Sequence, residues 1–138
     1  MMRALSPDFN RIALELAPRN FVARGDAPST FAELMRAPSL VVSDTYSLAT
    51  IYGDARVNHA FRAWHDATHR AGQYDFTLEG ERATRQDQWA QILRRYPCAP
   101  AEWHHILYAE IDAQVEHATR TGEFPSDQAT FVRTILGS

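Results

Sequence analysis

The sequence contains no lysine, because all 14 of its basic residues are arginine. That absence excludes chemistry built on a lysine amine, including Schiff-base catalysis and the lysine-bearing phosphate loop. Cys98 is the sole cysteine, so neither an internal disulfide nor a thiolate-rich zinc site can form. Its place between Pro97 and Ala99 suits a structural residue better than a nucleophile. The six glycines are scattered, without a phosphate cradle, and no serine lies between paired glycines as in a nucleophile elbow. No apolar run approaches the roughly 20 residues of a spanning helix. The stretch from Met1 to Leu16 lacks the basic start, apolar stretch and cleavage site of a signal peptide. The expectations are therefore no membrane contact and a cytoplasmic location. With a net charge of −3 and no basic block beyond Arg94-Arg95, nucleic acid is not an expected partner.

What is present suffices for one core: 45% of the 138 residues are hydrophobic, and no repeat or linker divides the chain. The reading is a mainly α, bundle-like single domain over 1–138, with a helical core at 57–136 and a less regular part at 1–53. Ser6-Pro7 predicts a helix to Ala17, stopped by Pro18. Thr30 to Glu33 fits a capping box for a short helix ending before Pro38. Ser39 to Ser43 and Tyr46 to Tyr52 carry branched and aromatic residues that predict extended segments, paired as a small β-hairpin. Asp54 caps a helix from Ala55 to Ala71, and Thr77 caps another to Tyr96, weakened by Gly80 in its first turn. Pro100 opens a helix to Thr121, and Ser126-Asp127 a last one to Leu136. Phe61, Trp64, Trp89, Ile92, Leu107, Ile111 and Phe131 are the expected core.

One constellation carries chemistry. His65 and His69 are one helical turn apart, so both imidazoles share a face and can grip one metal ion. The residue after the first histidine is Asp66, not the glutamate of zinc peptidases. Glu81 falls on one helical line with Gln88 and Ile92 and is expected to point inward, where a carboxylate needs a cation or strong donors. On the next helix Trp103, Leu107, Glu110, Gln114 and His117 share a face. If Glu110 meets Glu81 and the histidines, His65, His69, Glu81 and Glu110 supply nitrogen and oxygen ligands suited to zinc, iron or manganese. Gln114 and His117 are then candidates to orient those ligands. Glu102 to His105 repeats the Glu-x-x-His spacing of di-metal bundles only once, in a helix's first turn. His59 before His65-Asp66 is spaced too closely for His-Asp phosphohydrolases.

Three segments, Phe61 to Asp66 (FRAWHD), Phe76 to Glu81 (FTLEGE) and Glu110 to Gln114 (EIDAQ), resemble uncharacterised bacteriophage and prophage-associated proteins. In these, a His-Asp helix precedes a Phe…Gly-Glu element and a Glu…Gln helix. The likeness covers Val57 to Val132 and implies that His65, Asp66, Glu81, Glu110 and Gln114 belong to one site. It departs at His69, whose counterpart follows a slightly longer gap, and it names no reaction.

Two expectations follow. One is a metal-dependent hydrolase in which Asp66 or a free glutamate acts as base on a small or phosphorylated substrate. The other is a non-enzymatic helical regulator that binds a partner protein, its polar groups forming a structural network. Convergence of those groups on an open pocket, or closure by one another, separates the two.

Overall fold

The computed structural model describes residues 3–137. Helix α1 (Pro7–Leu16) is capped by Ser6 and leads to strand β1 (Val22–Arg24), helix α2 (Phe31–Arg36) and strand β2 (Val41–Ser43). Five further helices follow: α3 (Ala55–Gly72), α4 (Leu78–Arg95), α5 (Ala101–Glu110), α6 (Asp112–Thr121) and α7 (Gln128–Leu136). The chain is mainly α with one small pair of strands. None of its described helices is long and apolar enough to cross a membrane.

Helix starts follow local chemistry. The side chains of Ser6, Thr30, Asp54, Thr77 and Asp127 each accept a hydrogen bond from a first-turn backbone N–H, satisfying donors a helix leaves unpaired. Gly80 is a packing requirement and not a weak point, because any Cβ there would overlap the carbonyl of Asp75. Its bare backbone lets the turn before α4 fold against the helix.

The expected hairpin is corrected. Val41–Ser43 is a strand, but it pairs parallel with Val22–Arg24, in register Val22↔Val41, Ala23↔Val42 and Arg24↔Ser43. Parallel strands need a crossover, and α2 supplies it. The segment 46–52 forms turns. Its apolar character serves burial, since Ile51 and Tyr52 insert into the main core while the Ile51 carbonyl accepts from Leu5 N–H (2.7 Å).

That core joins Phe9, Ile12, Tyr52, Phe61, Trp64, Ile92, Leu107 and Ile111, with Trp89 and Phe131 packed partly buried at its edge. A second, smaller cluster of Leu34, Leu40, Val42 and Ala63 seats the strands and α2 on the opposite side of α3. Small residues at Ala63 and Ala67 let that layer approach. Helix α3 is thus held on two sides, and a third edge is left for polar groups. The helix expected from Pro100 to Thr121 is interrupted at Ile111 (φ −107°, ψ −76°). There Asp112, fully buried, receives a bidentate pair of bonds from Arg85 (3.0 and 3.1 Å).

Candidate metal centre

The seam between α3 and α4 is polar. The buried residues of α4 are Gly80, Glu81, Thr84, Gln88 and Ile92, a stripe at helical spacing that meets α3 with acceptors and donors. Trp64 Nε1–H donates to Gln91 Oε1 (2.8 Å), and Gln91 Nε2–H donates to Thr68 Oγ1 (3.0 Å). Toward the helix start this seam reaches Glu81, His65 and His69.

Their geometry follows from what holds the far sides of the rings. Gln73, just past α3, takes the left-handed conformation (φ 56°). The reversal brings the Tyr74 carbonyl against His69 Nδ1 (2.8 Å). A carbonyl can only accept, so His69 carries its hydrogen on Nδ1 and leaves Nε2 with a free lone pair. His65 Nδ1–H likewise donates to Gln88 Oε1 (2.7 Å). Both Nε2 atoms then face Glu81 Oε1, at 2.9 Å from His65 and 3.0 Å from His69, and lie 3.1 Å from each other.

Three acceptor atoms cannot meet at such distances without a cation between them. In the metal-free molecule that cation is one proton. Burial alone would lower the His65 pKa, but the hydrogen bond and charge of Glu81 outweigh it and raise it to about 9. Burial would likewise raise Glu81, yet the bond from His65 and the closeness of His69 bring it down to about 2. A metal ion is the alternative cation. Among the described residues His65, His69 and Glu81 are the group of histidine, cysteine and acidic side chains that could hold one.

The triad forms part of the wall of a cleft of about 690 Å³, which Asp66, Glu110 and Gln114 also line. The structure thus brings five of the six other candidates to one cavity with His65 and leaves one outside. Glu110 is not among the converged atoms: it is buried across the cleft, accepting from Gln114 Nε2–H (2.7 Å), with the buried Tyr52 hydroxyl beside it. Burial raises the Glu110 pKa against the opposing influence of Tyr52 and Arg62. Asp66 is likewise raised by burial, opposed by the charges of His65 and His69. His117 does not line the cleft, because beyond the break at Ile111 its ring packs on Phe131 (centroids 5.0 Å).

His59 and His104 are occupied elsewhere, and His105 is exposed. His104 Nε2 accepts from Arg85 (2.9 Å) while its ring stacks on Trp89, and His59 Nε2 bonds the Ser47 hydroxyl (2.9 Å). Sequence reasoning noted Gln88 only as a neighbour of Glu81, and it missed the Tyr74 carbonyl, a backbone group invisible in side-chain patterns. It also missed Asn58 and Arg62, although their spacing to His65 puts them on the same face. No protein-family model, curated protein or solved structure matches the chain.

Proposed function

We propose that this chain binds one divalent metal ion through His65, His69 and Glu81 and uses it to hydrolyse a small molecule held in the adjoining cleft. The observation that carries this reading is the convergence of two Nδ1-anchored imidazoles and one carboxylate oxygen, all within 3.1 Å, at the wall of an open cavity. Ligand atoms on bonds of about 2.1 Å to one ion lie about 3.0 Å apart at right angles and about 3.4 Å apart in a tetrahedron, so the three atoms are close enough to share one ion. Because the triad forms part of the cleft wall, an ion held there would keep positions toward the cleft for water and substrate. Two imidazole nitrogens and one carboxylate oxygen would suit zinc, iron or manganese. The hydrogen-bonded Nδ1 atoms supply the outer support that such ligands need.

An ion held by His65, His69 and Glu81 would supply an acidified water, and Asp66, lining the same cleft, would be the base to take its proton. Glu110 lies across the cavity as a substrate-facing group, and Gln114 orients it. The cavity volume falls within the range of about 300–1,000 Å³ usual for small-molecule sites.

Elemental mass spectrometry on untagged protein, reloaded with zinc, manganese or iron and desalted, tests the site. One ion per chain is expected in the wild type and in Glu110→Gln, and none in His69→Ala or Glu81→Gln. A wild-type protein that takes up no ion and gains no thermal stability from any of the three refutes the reading. The partner-binding regulator would then be the account to pursue.

A further inference from the structure

Two polar residues on the cleft edge of α3 have no part in the triad. Asn58 and Arg62 precede His65 by seven and three residues, about 10 and 4.5 Å along the helix axis. Both line the cleft. Asn58 is only 2% exposed, and its amide oxygen has no hydrogen-bond partner, an arrangement that a helix interior tolerates poorly. Arg62 donates to the Ser43 carbonyl (2.6 Å). Among the described residues no carboxylate forms an ion pair with it, and Glu110, Asp66 and Asp44 act on it only from further away.

These groups discriminate between substrate classes. A phosphate monoester would bring about two negative charges into a cleft whose four carboxylates, Asp66, Glu81, Glu110 and Glu123, already outnumber the charges of Arg62 and one divalent ion together. A neutral substrate meets no such repulsion. A carboxamide such as that of Asn58 offers a donor and an acceptor side by side, and the complementary ligand group is another amide. The exposed rings of Tyr46 and Phe124 flank the same cleft and offer apolar contact to a planar group at its mouth.

Resting on the metal-site reading above, we infer that the cleft takes neutral acyl-amide compounds laid along α3. The scissile carbonyl lies at the triad, Arg62 faces its oxygen, and Asn58 reads a second amide about two to three extended residues away. Water oxygen bonds to the carbonyl carbon as its proton passes to Asp66. The C–N bond then breaks, and Asp66 returns the proton to the leaving nitrogen. Amide and water thus give a carboxylic acid and an amine. Asn58 is a specificity-determining residue, remote from the bond that breaks.

The test is calorimetric titration of the metal-loaded full chain with three probes. Acetohydroxamate reaches only the metal, benzyloxycarbonyl-Gly-Gly-hydroxamate adds the distant amides and a ring, and phenylphosphonate replaces the amide by an anion. The long hydroxamate is expected to bind at least tenfold more tightly than acetohydroxamate. Asn58→Ala and Asn58→Asp should each lose that gain while binding acetohydroxamate as the wild type does, which also shows that the variants are folded. The inference is overturned if the long probe gains nothing, if both hydroxamates weaken together in both variants, or if the phosphonate binds more tightly than the long probe. A chain that takes up no metal defeats the metal-site reading itself, and the inference with it.

Discussion

The proton shared by His65, His69 and Glu81 makes opposite predictions for the metal-free and metal-loaded protein as pH rises. The folded state raises His65 from an ordinary 6.5 to about 9, so it binds a proton more tightly than the unfolded chain. Stability from this source is complete below pH 6.5 and is lost as pH climbs through 9. At about 1.4 kcal/mol per unit the full loss is of order 3 kcal/mol. Glu81, lowered to about 2, reports the same interaction from the acid side, with stability lost as pH falls from 4.5 toward 2, and the two are counted once. A metal ion must displace the His65 proton, so its apparent affinity should rise about tenfold per pH unit below 9 and flatten above. Between pH 6 and 8 the gain is about 100-fold. Competition against a fluorescent chelator at pH 6, 7 and 8 measures the affinity, and urea unfolding at pH 6.5 to 9 measures metal-free stability relative to His65→Gln. Metal affinity independent of pH, or metal-free stability that rises over that window relative to the variant, would refute the reasoning.

Two further outcomes test how the site is held. Gly80→Ala should displace the 75–77 turn and with it the start of α4; metal affinity is expected to fall at least tenfold with little change in helix content, read by chelator competition and circular dichroism. Arg85→Leu strands the Asp112 carboxylate, 1% exposed, without its partner, and should cost about 3–5 kcal/mol in urea unfolding. Adding Asp112→Leu should recover much of that loss, because the stranded charge and not the missing bond dominates it.

The parts legible in the sequence are those that local chemistry dictates. Ser6, Thr30, Asp54, Thr77 and Asp127 announce their helices because the capping bond spans only two or three residues. The His65–His69 pair is legible for the same reason, and the line Glu81, Gln88, Ile92 reports a face buried throughout. Non-local pairing was not legible. Val22–Arg24 is only three residues long, without a periodic pattern, and its partner lies beyond α2. Ile51 and Tyr52 carry strand-like chemistry because the core needs them, with no ladder involved. The line drawn from Glu110 to His117 failed only at its end: the helix is interrupted at Ile111, Gln114 still reaches Glu110, and His117 one turn further packs on Phe131 instead.

The polar seam itself allows a last prediction that separates a metal site from a structural network. Burying Glu81, Thr84, Gln88 and His69 between two helices is costly: Gln88 Nε2 has no partner at all, and apolar packing of similar volume is often as stable as a buried ionic cluster or more so. If the cluster existed to hold the fold, replacing it should unfold the protein. If it exists to hold a cation, the combined variant His65→Leu, His69→Leu, Glu81→Met, Gln88→Leu should fold. The exchange removes the buried ion pair and the orphaned amide together. It leaves the Tyr74 carbonyl without its His69 donor, at about 1–3 kcal/mol, while Thr84 keeps its bond to the Gly80 carbonyl (2.8 Å). Its stability in urea is expected within about 2 kcal/mol of the metal-free wild type. It should also fall below the wild type held at 100 times its metal dissociation constant, where binding adds about 2.7 kcal/mol. A variant that cannot fold would mean that the three converging groups are a structural element, and that the proton between them, not a metal, is their native occupant.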